Sequence, residues 1–226
     1  ELDLYNGLLT RTVLWNPREE LSLRITTERF VSLADLHLLG QRIRVEVLEG
    51  QTELTVKTGI RGGSRYGDPH FLDGESRLEG DILQHAETTH ESGISFTTSA
   101  YVSAAMEDEG GKTTALECEP QLQSDRILSG CSVKLTAGQT FTIQKLCRIA
   151  TTRDNDFVCG DDWEREALIR REYEEMRLLK KRSYESVKQT SLDCWAKLWQ
   201  ERDITITGDA DADVLAYRFA VYHLII

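Results

Sequence analysis

The chain has 226 residues, 40% of them hydrophobic and 29% charged, with a formal net charge of −11. That apolar content supports a real core in one large or two smaller domains, and no apolar run approaches the roughly 18 to 20 residues that span a membrane, so a soluble globular protein is expected. The acidic balance argues against a nucleic-acid partner, which requires clustered Lys and Arg, and reads as a solvated acidic surface.

The chain opens at Glu1 with neither an initiator methionine nor a basic segment leading into an apolar one, so no signal peptide is expected. From here to about residue 152 the dominant period is two. Leu21, Leu23 and Ile25 alternate with polar residues, as do Ile43, Val45 and Val47, then Leu54 and Val56. Further strands are predicted over Ile94 to Met106, Thr113 to Cys118, Gln123 to Leu135 and Gln139 to Thr152. The pattern predicts about eight or nine antiparallel strands, each with one wet face. Turns are expected at Asn16-Pro17-Arg18, Gly62-Gly63-Ser64, Asp108 to Gly111 and Ala137-Gly138. Many short strands at near-regular spacing must bury one face against another sheet, which predicts a β-sandwich.

The character changes at Asp161. From there to Thr207 the chain contains neither Gly nor Pro and is dense in Glu, Arg, Lys and Leu. Asp161 and Asp162 are placed to cap and charge a helix N-terminus. Trp163, Ala167, Met176 and Leu179, then Val187, Leu192, Trp195 and Trp199, recur at helical spacing. Ser183 predicts the start of a second helix. A coiled coil is the competing reading, but no heptad holds across Leu178 to Val187. A short strand is expected over Asp203 to Thr207, a turn at Gly208-Asp209, and a last helix from Asp211 carrying Val214, Leu215, Arg218, Phe219 and Tyr222. The final run AVYHLII would leave apolar surface exposed, and both ends read as cut.

Five cysteines, Cys118, Cys131, Cys147, Cys159 and Cys194, form no C-x-x-C pair. They read as free thiols in a reducing cytoplasm, and no metal site is expected. Gly62-Gly63-Ser64 lacks the lysine and spacing of a phosphate loop, and neither G-x-S-x-G nor H-E-x-x-H occurs. His85 and His90 lie five apart in a strand-like region and should face opposite sides. Glu107, Asp108 and Glu109 form an acidic turn tip, which offers no burial to raise a general acid's pKa. Asp35 and His37, two apart, could converge on one ligand, but a catalytic metal or a nucleophile needs a third group.

Four blocks carry a resemblance: LDLYNGLLTRTVLW (Leu2 to Trp15), ERFVSLADLHLLGQRIRVEV (Glu28 to Val47), WAKLWQERDITITGD (Trp195 to Asp209) and YRFAVYHL (Tyr217 to Leu224). In that order and spacing the chain resembles glycoside hydrolase family 65, which includes inverting phosphorylases of maltose, trehalose, kojibiose and nigerose and some trehalose hydrolases. The resemblance implies an N-terminal antiparallel super-sandwich of the galactose-mutarotase-like kind over 1–158, missing its first strands. A two-helix linker would follow over 159–202, and the start of an (α/α)6 catalytic barrel over 203–226. It also implies a cytoplasmic homodimer whose full-length form uses inorganic phosphate as co-substrate, with no other cofactor. The family's general acid and phosphate site lie in the barrel, so no catalytic residue is carried over to this chain. Asp35 then reads as a turn cap and His37 as hydrogen-bonded within the sandwich.

The alternative is a stand-alone carbohydrate-binding or interaction module. Such a module needs an aromatic platform, and Trp15, Trp163, Trp195 and Trp199 all read better as core or linker anchors. Tyr66, His70 and Phe71 in the loop RYGDPHF are the best candidates for sugar contact.

Overall fold

The computed structural model describes residues 1–63, 70–123, 126–154, 165–207 and 211–225. Asp161, Asp162, Trp163 and the Gly208-Asp209 turn lie outside the described residues. Among the described residues the chain forms twelve strands: β1 (Leu2–Asp3), β2 (Leu8–Arg18), β3 (Leu21–Val31), β4 (Leu38–Glu49), β5 (Gln51–Arg61), β6 (Phe71–Glu79), β7 (Ile82–Thr89), β8 (Ser95–Glu107), β9 (Thr113–Leu116), β10 (Glu119–Leu122), β11 (Arg126–Thr136) and β12 (Thr140–Thr151). Three helices follow: α1 (Arg165–Leu179), α2 (Tyr184–Arg202) and α3 (Asp211–Ile225).

The strands form a nine-stranded sheet in the order β1-β2-β3-β4-β12-β8-β7-β6, with β9 alongside β8, and a three-stranded sheet β10-β11-β5. All ladders are antiparallel. Leu23, Val45, Val47, Leu83, Phe141 and Ile143 of the large sheet pack against Ile60, Ile127, Val133 and Leu135 of the small one. Full burial of such side chains is worth about 1.5–3 kcal/mol each, and this layer is the main source of stability. The expected sandwich is therefore present.

The opposite face of the large sheet is buried too. Phe30, Leu38, Ile82 and Leu146 receive Met176 and Leu179 of α1 and Tyr184 and Val187 of α2. The break between these helices falls at Ser183, whose extended backbone (φ −73°, ψ 151°) and side chain cap α2 by accepting from the Ser186 N–H. The molecule thus has three layers: small sheet, large sheet, helices.

Several expectations are corrected. Strand β2 runs through Asn16 and Pro17, with a bulge between Trp15 and Arg18, and the turn falls at Glu19-Glu20. Proline lacks the N–H a regular ladder would use, and a bulge accommodates it. The strand expected from Thr113 to Cys118 ends at Leu116, where the chain leaves β8, and an unexpected strand, β10, follows from Glu119 and joins β11. Asp203 to Thr207 forms no strand; Asp203 instead caps α2, its N–H donating to the Trp199 carbonyl at 2.8 Å. Trp15 is not in the core. The small sheet does not cover β2, and Trp15 remains 50% exposed beside Leu9, Val13 and Ile25 in a hollow of about 610 Å³. His90 lies in the turn after β7, where its N–H donates to the His70 carbonyl at 2.9 Å.

Candidate functional site

The block around Asp35 builds a corner between β3 and β4. The Ser32 hydroxyl accepts from the backbone N–H groups of Ala34 and Asp35, both at 3.1 Å. Asp35 Oδ1 accepts from the His37 N–H at 3.1 Å, and the Asp35 carbonyl accepts from Leu38 at 3.0 Å. These local bonds substitute for the missing ladder and turn the chain. The two side chains then diverge. His37 Nδ1–H donates to the Ile149 carbonyl at 2.9 Å, which fixes the proton on that nitrogen, while Asp35 Oδ2 takes the guanidinium of Arg148.

Arg148 makes the corner part of a larger seam. Its Nε donates to Glu172 Oε2 at 2.9 Å, and Glu172 on α1 is 0% exposed. Burial works against the Arg148 charge, but the hydrogen bond to Glu172 and the charges of Glu172 and Asp35 outweigh it and hold its pKa above the usual value. One cation on β12 thereby joins the β3–β4 corner to the first helix. Further along, Glu28 takes Arg42 at 3.1 Å and Lys188 of α2 at 3.2 Å, and Arg42 also pairs with Glu185. Gln84 of β7 donates to the Ile169 carbonyl of α1 at 3.0 Å, and Arg77 pairs with Glu166 through two bonds of 2.7 Å. The helices are fastened to the sheet by directional polar contacts as well as by apolar packing.

At the far end of α2 the first and last segments of the chain meet. Trp195 stacks on Tyr222 of α3 with centroids 5.3 Å apart, and on Trp199 at 6.4 Å. Trp199 Nε1 donates to the Leu4 carbonyl at 3.2 Å, and Tyr5 tilts against its ring at 5.3 Å. Arg218 of α3 lies 4.7 Å over the Tyr5 ring and donates to Asp203 at 2.8 and 3.1 Å, while the Tyr5 hydroxyl donates to the same carboxylate at 3.0 Å. Bonding from Arg218, then from Tyr5, holds the Asp203 carboxyl below its usual range despite opposing desolvation. Gly7 (φ +60°) is required here: a Cβ on it would fall 2.3 Å from Trp195 Nε1. Helix α3 buries only Tyr222 fully, and leaves Leu215 62%, Phe219 50% and Leu224 87% exposed. One side of α3 is seated on this aromatic bed and another is open.

Tyr66 lies outside the described residues. His70 is exposed, and Phe71 packs edge-on against Phe96 at 5.2 Å. A polar pair that residue-by-residue reading did not single out lies nearby. His85 and Glu87 share the inner face of β7, and their side chains are 8% and 7% exposed, with His85 Nε2 3.1 Å from Glu87 Oε1 but off the direction of a hydrogen bond. Ser76 Oγ bonds His85 Nδ1 at 2.8 Å, and Glu87 accepts from the Gly63 N–H at 2.6 Å. Gly62 permits this, since a Cβ there would fall 1.9 Å from the imidazole. The i, i+2 spacing on a strand was the available signal. Among the described residues no group of three or more His, Cys, Asp and Glu could hold a metal ion. No helix among them is long and apolar enough to cross a membrane.

Fold and seam define the class: an antiparallel β-sandwich with a helical extension fastened to one face and ending in a half-covered helix. The pattern described as "Glycosyl hydrolase family 65, N-terminal domain" matches residues 1–198, and the chain belongs to that family. It is 29% identical over 225 residues to a kojibiose phosphorylase of Escherichia coli (strain K12), covering 99% of this chain and 28% of the relative. A kojibiose phosphorylase of Halothermothrix orenii is 30% identical over 230 residues, covering 99% and 28%. The 1,2-alpha-glucosylglycerol phosphorylase of Bacillus selenitireducens is 28% identical over 229 residues, covering 100% and 27%. The chain thus spans little more than a quarter of these relatives. Its fold is also that of a solved structure named "Putative kojibiose phosphorylase from human microbiome", with a TM-score of 0.79 at 17% identity, covering 99% of this chain and 27% of the other.

Proposed function

We propose that this chain is the non-catalytic N-terminal portion of a disaccharide phosphorylase of family 65, and that its role is to seat the first helix of an (α/α)6 barrel. The single observation that carries this reading is the bed of Tyr5, Trp195 and Trp199 that receives Tyr222 of α3, together with the open apolar side of that helix. On this reading 1–158 is the sandwich, 159–202 the linker and 203–226 the barrel's beginning.

In the whole enzyme a barrel glutamate protonates the glycosidic oxygen of an α-glucosyl disaccharide such as kojibiose. Inorganic phosphate attacks the anomeric carbon from the opposite face, taking the place of the water used in inverting hydrolysis. The products are β-glucose 1-phosphate and a free sugar or polyol. The similarity to two kojibiose phosphorylases and a glucosylglycerol phosphorylase supports phosphate as co-substrate and an α-linked glucosyl donor. The same reading makes the enzyme a cytoplasmic homodimer with no metal or organic cofactor.

The test is phosphate-dependent release of glucose 1-phosphate from kojibiose, trehalose and maltose, measured with the whole polypeptide and with this 226-residue chain alone. Turnover by the whole polypeptide and none by the chain alone is expected. Turnover by the chain alone would refute the assignment, as would a whole polypeptide that hydrolyses these sugars without phosphate.

A further inference from the structure

Two of the five cysteines face each other across the small sheet. The β10–β11 ladder pairs Glu119 with Gly130, so one step back along the same register Cys118 stands opposite Cys131. Both side chains are half-buried and pack against the sandwich core. Each thiol is close enough to the other to influence its ionisation. Cys118 also sits at the point where the chain passes from β9 in the large sheet to β10 in the small one. Opposed side chains on adjacent antiparallel strands have Cβ atoms about 4.5–5.5 Å apart, close to the separation a disulfide spans.

We infer that Cys118 and Cys131 form a thiol–disulfide site, closed by exchange with a low-molecular-weight disulfide, that clips the β10–β11 hairpin to the crossover between the two sheets. The Cys131 thiolate attacks one sulfur of glutathione disulfide, forming a mixed disulfide and expelling one glutathione thiolate. The Cys118 thiolate then attacks Cys131 Sγ, forming the intrachain bond and expelling the second glutathione. Two protein thiols are oxidised and one glutathione disulfide is reduced to two glutathiones, with both thiol protons passing to the released thiolates or to solvent.

The environment sets the rate. Burial, then the proximity of the neighbouring thiol, push the Cys118 pKa up to about 12, and burial also raises that of Cys131. Little thiolate exists at neutral pH, so closure is slow there and accelerates with pH. In a reducing compartment the pair rests as two thiols, and an oxidising load closes it.

The experiment incubates the protein with glutathione disulfide, blocks the remaining thiols by alkylation and maps linkages by mass spectrometry. The expected result is a bond joining the peptides that carry Cys118 and Cys131, forming about tenfold faster for each pH unit between about pH 7 and about pH 9. Cys118→Ser should trap the mixed disulfide on Cys131. Amide hydrogens of the β10–β11 hairpin should exchange at least about tenfold more slowly in the closed form. The proposal is overturned if Cys118 and Cys131 both stay alkylable while Cys147 or Cys194 reacts. It is equally overturned if either cysteine links to a different partner.

Discussion

The large sheet buries both of its faces by different means. Its inner face meets the small sheet through aliphatic and aromatic side chains such as Leu23, Val47, Leu83 and Phe141. Its outer face meets α1 and α2 through a smaller apolar patch crossed by ion pairs: Arg148 with Glu172, Glu28 with Lys188, Arg42 with Glu185. Apolar burial is non-directional and specifies that the sheets pack, whereas hydrogen-bonded charges have defined directions. The inner face holds the sandwich together, and the outer face fixes where the helices lie on it.

That contrast can be broken most forcefully at Arg148. Arg148→Met takes the hydrogen-bonded cation from the fully buried Glu172 carboxylate, leaving it Arg171 at 3.8 Å, and is expected to cost about 3 kcal/mol in urea unfolding. Adding Glu172→Leu should recover most of the loss, to within about 1–2 kcal/mol of the parent, because the penalty is a poorly compensated buried charge rather than a lost volume. Phe141→Ala on the inner face should cost a similar 3–5 kcal/mol or so, through the cavity it leaves, with no second substitution by removal able to restore it. If the Arg148/Glu172 double variant is as unstable as the single, the two faces do not differ in the way described.

Smaller changes sharpen the comparison at the helical end. Gly7→Ala combines a left-handed backbone with a clash against Trp195, and should cost about 1–3 kcal/mol and raise the exposure of the stacked tryptophans, read by fluorescence quenching. Ser183→Ala removes the α2 cap and should cost about 1 kcal/mol.

The weakest effect is the titration of Asp203. Its folded pKa lies below the unfolded value, so its contribution is present above about pH 4 and is lost as pH falls through the folded value. Acid should therefore loosen α3 from Tyr5 below about pH 4, and Asp203→Asn should abolish that step in a fluorescence titration.

Much of this was legible in the sequence. Strands with one wet face, such as Leu21-Leu23-Ile25 and Ile43-Val45-Val47, declared themselves by alternation, and Ser183 marked the break between helices. Strand β7 did not, because Ile82 to Glu87 are buried on both faces and no alternation survives. The transfer from β9 to β10 was invisible, since a period of two is the same in either sheet. Glu172 looked like one more acid on a solvated helix; only the fold shows it reaching Arg148. The pairing of His85 with Glu87, by contrast, is carried by their i, i+2 spacing on one strand, and only their burial needs the fold. The seam at α3 was half legible: the blocks at Leu2, Trp195 and Tyr217 stood out one by one, but their convergence on the Trp195–Trp199 stack is a property of the fold.

The central claim is that the aromatic bed seats a helix on which a catalytic domain is built. Its most direct test is the rate of phosphate-dependent glucose 1-phosphate release from kojibiose by the whole polypeptide carrying Trp199→Ala, read beside far-ultraviolet circular dichroism. The account predicts a fall in kcat of about tenfold or more with the sandwich signal retained, because misplacing a support shifts the catalytic groups it carries. An unchanged kcat in a variant whose α3 contacts are lost would contradict it.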